Sequence, residues 1–182
     1  ETYALTGLKL KLQSPLTQTM VIELANGGDG YIPPPEQHLL GGYNTWPARS
    51  AGLEVEAEPK ITAKLLDLLE QVTARPRRRY QQSRGPAALA TLAAQPLAYW
   101  RLDEFGGRRV VDSSPFQRHA IYEPGVVFFL EGPQSKRYNE GDEPNRCAHF
   151  AGGRIDARLD PVSSPITYAE NVRSPVLIIQ GR

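Results

Sequence analysis

"PLAYWRLDEFGGRRVVDSSPFQRHAIYEPGVVFFLEG", residues 96–132, is the stretch on which the fold class turns. It is a series of short β-prone runs, "LAYWRLDE", "RRVVDSS" and "AIYEPGVVFFLEG", broken by Gly, Pro, Ser and Asp. With "RCAHFAGGRIDARL" further on, this spacing fits an antiparallel sandwich. Alternation in the first run places Leu97, Tyr99, Arg101 and Asp103 on one face. Ala98, Trp100 and Leu102 take the other, which is the better core candidate. "QSKRYNEGDEPN", residues 134–145, reads as a polar loop.

Upstream the texture differs. "MVIEL", residues 20–24, reads as a short buried strand. "PKITAKLLDLLEQV" places Ile61, Leu65, Leu68, Leu69 and Val72 on one helical face, with Lys60, Lys64, Asp67 and Glu70 mainly on the other. Pro59 suits the first turn of that helix. "ALTGLKLKL" fits a helix through Leu5, Leu8 and Leu12, or a strand through Leu8, Leu10 and Leu12. Helix is favoured because Gln13-Ser14-Pro15 makes a natural stop. Helix, strand, long loop and helix would form one edge of an α/β layer.

The predicted architecture is α+β and multidomain. A partial α/β layer spans residues 1–73, and a basic linker with a short helix spans 74–95. An incomplete antiparallel β-sandwich of jelly-roll, lectin-like type spans 96–160, and a tail of different texture spans 161–182. In the linker, "ARPRRRYQQSRGP" is strongly basic and poor in apolar residues, which reads as a solvated connection. A polyanion contact is the sharper reading, but only Tyr80 interleaves an aromatic ring with the cations. "AALATLAAQ", residues 87–95, predicts a short helix.

Composition sets the outer bounds. The chain has 182 residues, 40% hydrophobic and 23% charged, enough to bury a core. A net charge of +1 gives no global case for nucleic acid or an anionic membrane. No apolar run approaches the length of a membrane span. The first residues lack the pattern of a signal peptide, and the missing initiator Met suggests a processed or excised piece. The single cysteine, Cys147, excludes an internal disulfide.

The candidate site lies in "NGGDGYIPPPEQHLLGGYNTWPARS", residues 26–50. Its density of Gly and Pro suits neither helix nor strand. An irregular loop after a buried strand is where α/β proteins place ligands. The competing reading is a surface loop with Tyr31, Tyr43 and Trp46 packed over the core.

Residues 1–72 resemble the C-terminal part of the neutral/alkaline, non-lysosomal ceramidase family. The resemblance rests on an apolar strand, then Asn26 and Tyr31 as Asn-x-x-x-x-Tyr, a Pro-rich step, Gly42-Tyr43, and a helix after the ARS-like turn, in order and spacing. It implies a zinc-dependent amidase that cleaves the amide of a ceramide-like lipid. It also implies Tyr31 as a zinc ligand and catalytic group, and Glu1 as a second zinc ligand. Asn26, Gly30, Gly42 and Tyr43 would support the loop. Such a metal site would activate water near neutral pH, and a tyrosine hydroxyl there could stabilise an oxyanion. Gly28 stands where the family often has an aromatic residue. The histidines of the family site lie upstream of the matching region, so the chain alone would be inactive. His38, His119 and His149 are not at metal-ligand spacing and read as structural.

Residues 96–155 resemble the start of laminin-G-like (concanavalin A-like) domains. The motif is Tyr-Trp-x-Leu-Asp-Glu, then Val-x-Asp-Ser-Ser, then the Ala-x-Phe-x-Gly-Gly of "CAHFAGG". The resemblance implies a glycan or protein ligand and, in some members, calcium. Asp112, Asp103 and Glu104 are hard oxygen donors, although Asp112 before Ser113-Ser114 also suits a turn cap. Residues 163–182 resemble a late strand of prolyl-oligopeptidase-type hydrolases through "SPVLIIQG". No G-x-S-x-G elbow accompanies it. The two main resemblances imply a secreted, periplasmic or cell-surface protein. Either the amidase segment or the sandwich, as a binding module without catalysis, would carry the function.

Overall fold

The computed structural model describes residues 1–141 and 143–157. It contains helices and antiparallel sheets and divides into two compact units, residues 1–81 and the chain from Gln82 onward. The tail resemblance at 163–182 lies outside the described residues.

The first unit is helical. Helices α1 (Ala4–Gln13), α2 (Pro35–Leu40) and α3 (Ala57–Thr73) form it, with α1 packed on α3. Helix α1 stops where the Ser-Pro pair predicts. The Ser14 N–H still bonds to Leu10 O at 2.8 Å, and Ser14 Oγ accepts the Leu16 N–H at 3.1 Å. Pro59 lies in the first turn of α3, and the helix ends at Ala74 in a left-handed conformation, φ 53°.

Two expectations for this unit are overturned. Residues 20–24 form no strand: Met20, Ile22 and Leu24 are exposed, and among the described residues no neighbour pairs with their backbone as a ladder. An apolar run becomes a strand only where another edge meets it. Among the described residues the unit's only long-range bridge is a single parallel pair, Thr2 with Ile32, so no α/β layer forms there. Helix α3 is also rotated from its expected orientation. Ala57, Glu58, Thr62 and Leu66 are buried, while Ile61, Leu65, Leu68 and Val72 are exposed. The cause is a polar lock. Glu58 lies in the interface with α1, where it meets Thr6 and Lys9.

The basic stretch is not free of the units. Arg78 closes the carboxyl end of α1, where carbonyls lack helical partners. Its backbone N–H reaches Gln13 O at 2.8 Å, and its guanidinium reaches Ser14 O at 2.6 Å and Lys11 O at 2.5 Å. Arg77 pairs with Asp67 and, at 2.6 Å, with Glu70 of α3.

The second unit opens with α4 (Pro86–Ala93), as the sequence predicts. Strands β1 (Arg109–Val110), β2 (Ala120–Tyr122) and β5 (Ile155–Asp156) form an antiparallel sheet in the order β1-β2-β5. Strands β3 (Val126–Glu131) and β4 (Arg146–Phe150) form an antiparallel hairpin. Its register shifts between Val127 and Leu130, and Phe129 takes φ 60°. That irregularity lets consecutive Phe128 and Phe129 both turn inward, which a regular strand forbids. Tyr122 packs edge-on against Phe128 at 4.8 Å, and Phe105 packs tilted against Phe129 at 4.5 Å.

The "LAYWRLDE" run contributes a single bridge, Trp100 to Asp112, rather than a strand. Tyr99 and Leu102 are its buried residues, not the expected Ala98, Trp100 and Leu102 set. Leu102 at φ 59° breaks the alternation. Gly125 and Gly153 lie so close that a Cβ on Gly153 would meet Gly125 backbone at 2.7 Å. The small-residue turn thereby brings β5 back beside β2.

Candidate functional site

Glu1 and Tyr31 come together in the first unit. The Ile32 N–H donates to Glu1 O at 2.8 Å, and the Glu1 nitrogen donates to Gly30 O at 2.5 Å. These backbone bonds set Glu1 beside Tyr31, and the Glu1 charge adds the smallest of the upward pushes on the Tyr31 phenol's pKa. Gly30 is required on two counts. Its φ is +103°, and a Cβ would lie 2.2 Å from Ser50 O. The Tyr31 N–H donates to the same Ser50 O at 2.8 Å, which fixes Tyr31 on both sides.

Tyr43 completes the corner. Its hydroxyl lies 3.3 Å from that of Tyr31, with the rings edge-on at 5.5 Å. The Tyr31 phenol is held above its ordinary pKa, first by the hydrogen bond with Tyr43, then by repulsion between the two phenolates, by desolvation and, least, by the Glu1 charge. Beside it, Asn44 Nδ2 donates to Tyr3 Oη at 2.6 Å. Burial raises the Tyr3 phenol's pKa, while the Asn44 bond opposes the shift. Of the expected support residues, Gly30 and Tyr43 touch this corner. Asn26 (φ 62°) and Gly42 (φ +113°) shape the loop's turns. Tyr43 and Trp46 are 66% and 64% exposed, so neither ring is packed over the core.

Glu23 was not singled out from the sequence. Its Oε2 accepts the Thr2 N–H at 2.6 Å and the Thr2 hydroxyl at 2.9 Å, and these bonds hold its pKa below the usual carboxylate range. As part of an expected strand it carried no signal for this clamp.

The corner offers two oxygen donors, a carboxylate and a phenol. A catalytic zinc takes three protein ligands, commonly with imidazole among them. Among the described residues no three His, Cys, Asp or Glu cluster as metal ligands. The residues present do not complete a zinc site by themselves.

In the second unit Asp112 acts as a turn centre. Its Oδ1 accepts the N–H groups of Tyr99 and Ser114, both at 2.8 Å. Its Oδ2 accepts the Ser114 hydroxyl at 2.6 Å and the Arg118 N–H at 2.7 Å. All four lone-pair directions are thus taken by protein donors. Burial raises its pKa, but these bonds outweigh it and the net shift is downward. Glu104 likewise serves the sheet, accepting the Val111 N–H at 2.6 Å and the Tyr122 hydroxyl at 2.8 Å. Asp103 is the unsettled carboxylate. Burial pushes its pKa up to about 6, while Arg101, 3.9 Å away, opposes the shift.

Comparison with protein-family models, with curated proteins and with solved structures returns no match to this chain. Among the described residues no helix is long and apolar enough to cross a membrane.

Proposed function

We propose that the Glu1–Tyr31 corner belongs to the catalytic site of a ceramidase-like, zinc-dependent amidohydrolase. The observation that carries this reading is the juxtaposition itself. Two residues on separate segments, both matching family ligands, are held side by side by two backbone hydrogen bonds, from Ile32 N–H to Glu1 O and from the Glu1 nitrogen to Gly30 O. Glu1 and Tyr31 would supply two oxygen ligands, and imidazoles from another segment would complete the set. The Tyr31 hydroxyl, placed at the metal, would help stabilise the oxyanion as the amide carbonyl becomes tetrahedral. The clamp residue Glu23 lies between exposed Ile22 and Leu24, apolar side chains that would be free to meet the acyl chain of a lipid amide. Such a substrate fits a secreted, periplasmic or cell-surface enzyme.

The test is hydrolysis of a fluorescent N-acyl sphingosine by this chain assembled with the histidine-bearing part. Tyr31→Phe should lower kcat about 10²-fold, the effect of losing one oxyanion donor. Unchanged turnover overturns the assignment.

A second reading assigns the function to binding by the second unit. It is favoured by the order of its turn at Asp112 and of the β3–β4 and β2–β5 pairings, which suits the opening of a laminin-G-like jelly roll. The sandwich would be incomplete in the region 96–160 and would bind a glycan or protein without catalysis. Asp112 would then stabilise the scaffold rather than hold calcium.

A further inference from the structure

We propose that a cleft between the start of α4 and the loop at residues 136–141 binds the carboxylate-bearing ring of a sugar acid. The cavity has a volume of about 380 Å³, within the range of small-molecule pockets. Its two walls are locked together by backbone. Gly85 N–H donates to Tyr138 O at 2.8 Å, and Ala87 N–H to Arg137 O at 2.7 Å. The approach is close enough that a Cβ on Gly85 would lie 2.5 Å from the Tyr138 carbonyl carbon.

The lining asks for a ligand with three properties. Arg84 and Lys136 present cations, and among the described residues neither forms a salt bridge. They call for an anion. Asn139 is only 3% exposed and donates to Glu143 O at 2.8 Å, yet its buried Oδ1 has no hydrogen-bond partner. That oxygen is enclosed, and the acceptor open to the cleft is the Glu140 carboxylate, which calls for a hydroxyl donor. Pro86 and the half-exposed Leu89 form an apolar wall, suited to the C–H face of a sugar ring. Glu140 at the same cleft disfavours a doubly charged phosphate, leaving a singly charged carboxylate as the better match.

This inference deepens the binding-module reading and is independent of the amidase reading. It is tested by calorimetric titration of the full chain with D-glucuronate, D-glucose and acetate at low and high salt. Saturable glucuronate binding is expected, with glucose and acetate at least about tenfold weaker. The double variant Arg84→Ala/Lys136→Ala should weaken glucuronate at least about tenfold. Leu89→Ala, an exposed position, should weaken it with the far-ultraviolet circular dichroism unchanged. Absence of glucuronate binding overturns the site. So does acetate binding as tightly as glucuronate, which marks a plain basic patch. Equal glucuronate affinity in wild type and the double variant also overturns it, while leaving saccharide binding elsewhere on the second unit intact.

Discussion

Glu58 and Thr6, 52 residues apart, meet inside the first unit, where Thr6 Oγ1 donates to Glu58 Oε1 at 2.8 Å. Glu58 is 1% exposed, and Lys9 Nζ lies 3.2 Å from both of its oxygens. The pair fixes which face of α3 meets α1. A buried ion pair stabilises little against an apolar substitute, but removing one member leaves the other uncompensated. Glu58→Ala should therefore cost about 3 kcal/mol. Hydrogen exchange at α1 and α3 amides is the measurement, with faster exchange expected throughout both helices and unchanged rates in β3 and β4.

Asp112 organises the turn from Tyr99 to Arg118 through four accepted hydrogen bonds. Asp112→Ala leaves buried donors unpaired, at a cost of about 2–3 kcal/mol. The pH dependence follows from the lowered pKa. Asp112 stabilises the fold above its unfolded value of about 3.9, and this is lost as pH falls through the lower folded value. Urea unfolding followed by Trp100 fluorescence should show the variant weakened at neutral pH. The difference from wild type should shrink in strong acid.

The parts of the fold legible in the sequence are those set by local chemistry. The Ser14-Pro15 stop of α1, the Pro59 start of α3 and the Asp112 turn all depend on residues near in sequence. The failures are non-local. Residues 20–24 have strand composition but no partner edge, and α3 is turned by Glu58, whose partners lie on α1. The corner was visible only through the resemblance that singled out Glu1 and Tyr31 together. No pattern marked Glu23, nor Arg84 with Asn139, because their meeting depends on backbone paths that close over long separations.

Asp103 gives the opposite pH behaviour. Its pKa is raised to about 6 by burial, with Glu104 and Glu143 adding to the shift and Arg101 opposing it. Its unfolded value is about 3.9, so between these values the folded state holds more protons. Stability contributed by neutral Asp103 is complete below about 4 and lost as pH rises through about 6. Asp103→Asn should stabilise the second unit at pH 8 by on the order of 2 kcal/mol, with little effect near pH 4. Midpoints of urea unfolding across that pH range test the sign. A variant equally stabilised at both ends would remove titration of Asp103 as the cause.

Gly30→Ala separates positioning from chemistry at the corner. The substitution puts a Cβ where Ser50 O stands, at a backbone angle of φ +103° that L-residues rarely adopt. The 29–32 segment must then move, which breaks the Tyr31 N–H bond to Ser50 and disturbs the bonds that Glu1 makes to Gly30 and Ile32. A strained residue of this kind costs about 1–3 kcal/mol, a local cost that α1 and α3 can survive. The sensitive observable is the Tyr31–Tyr43 hydroxyl contact of 3.3 Å. Spectrophotometric titration of the phenols should show the Tyr31 component move down toward its ordinary value in Gly30→Ala, because the hydrogen bond and charges that raise it are gone. Tyr43→Phe should produce the same downward movement without disturbing Gly30. If Tyr43→Phe shifts the titration and Gly30→Ala does not, the corner is held by the aromatic pair rather than by the Gly30–Ser50 approach.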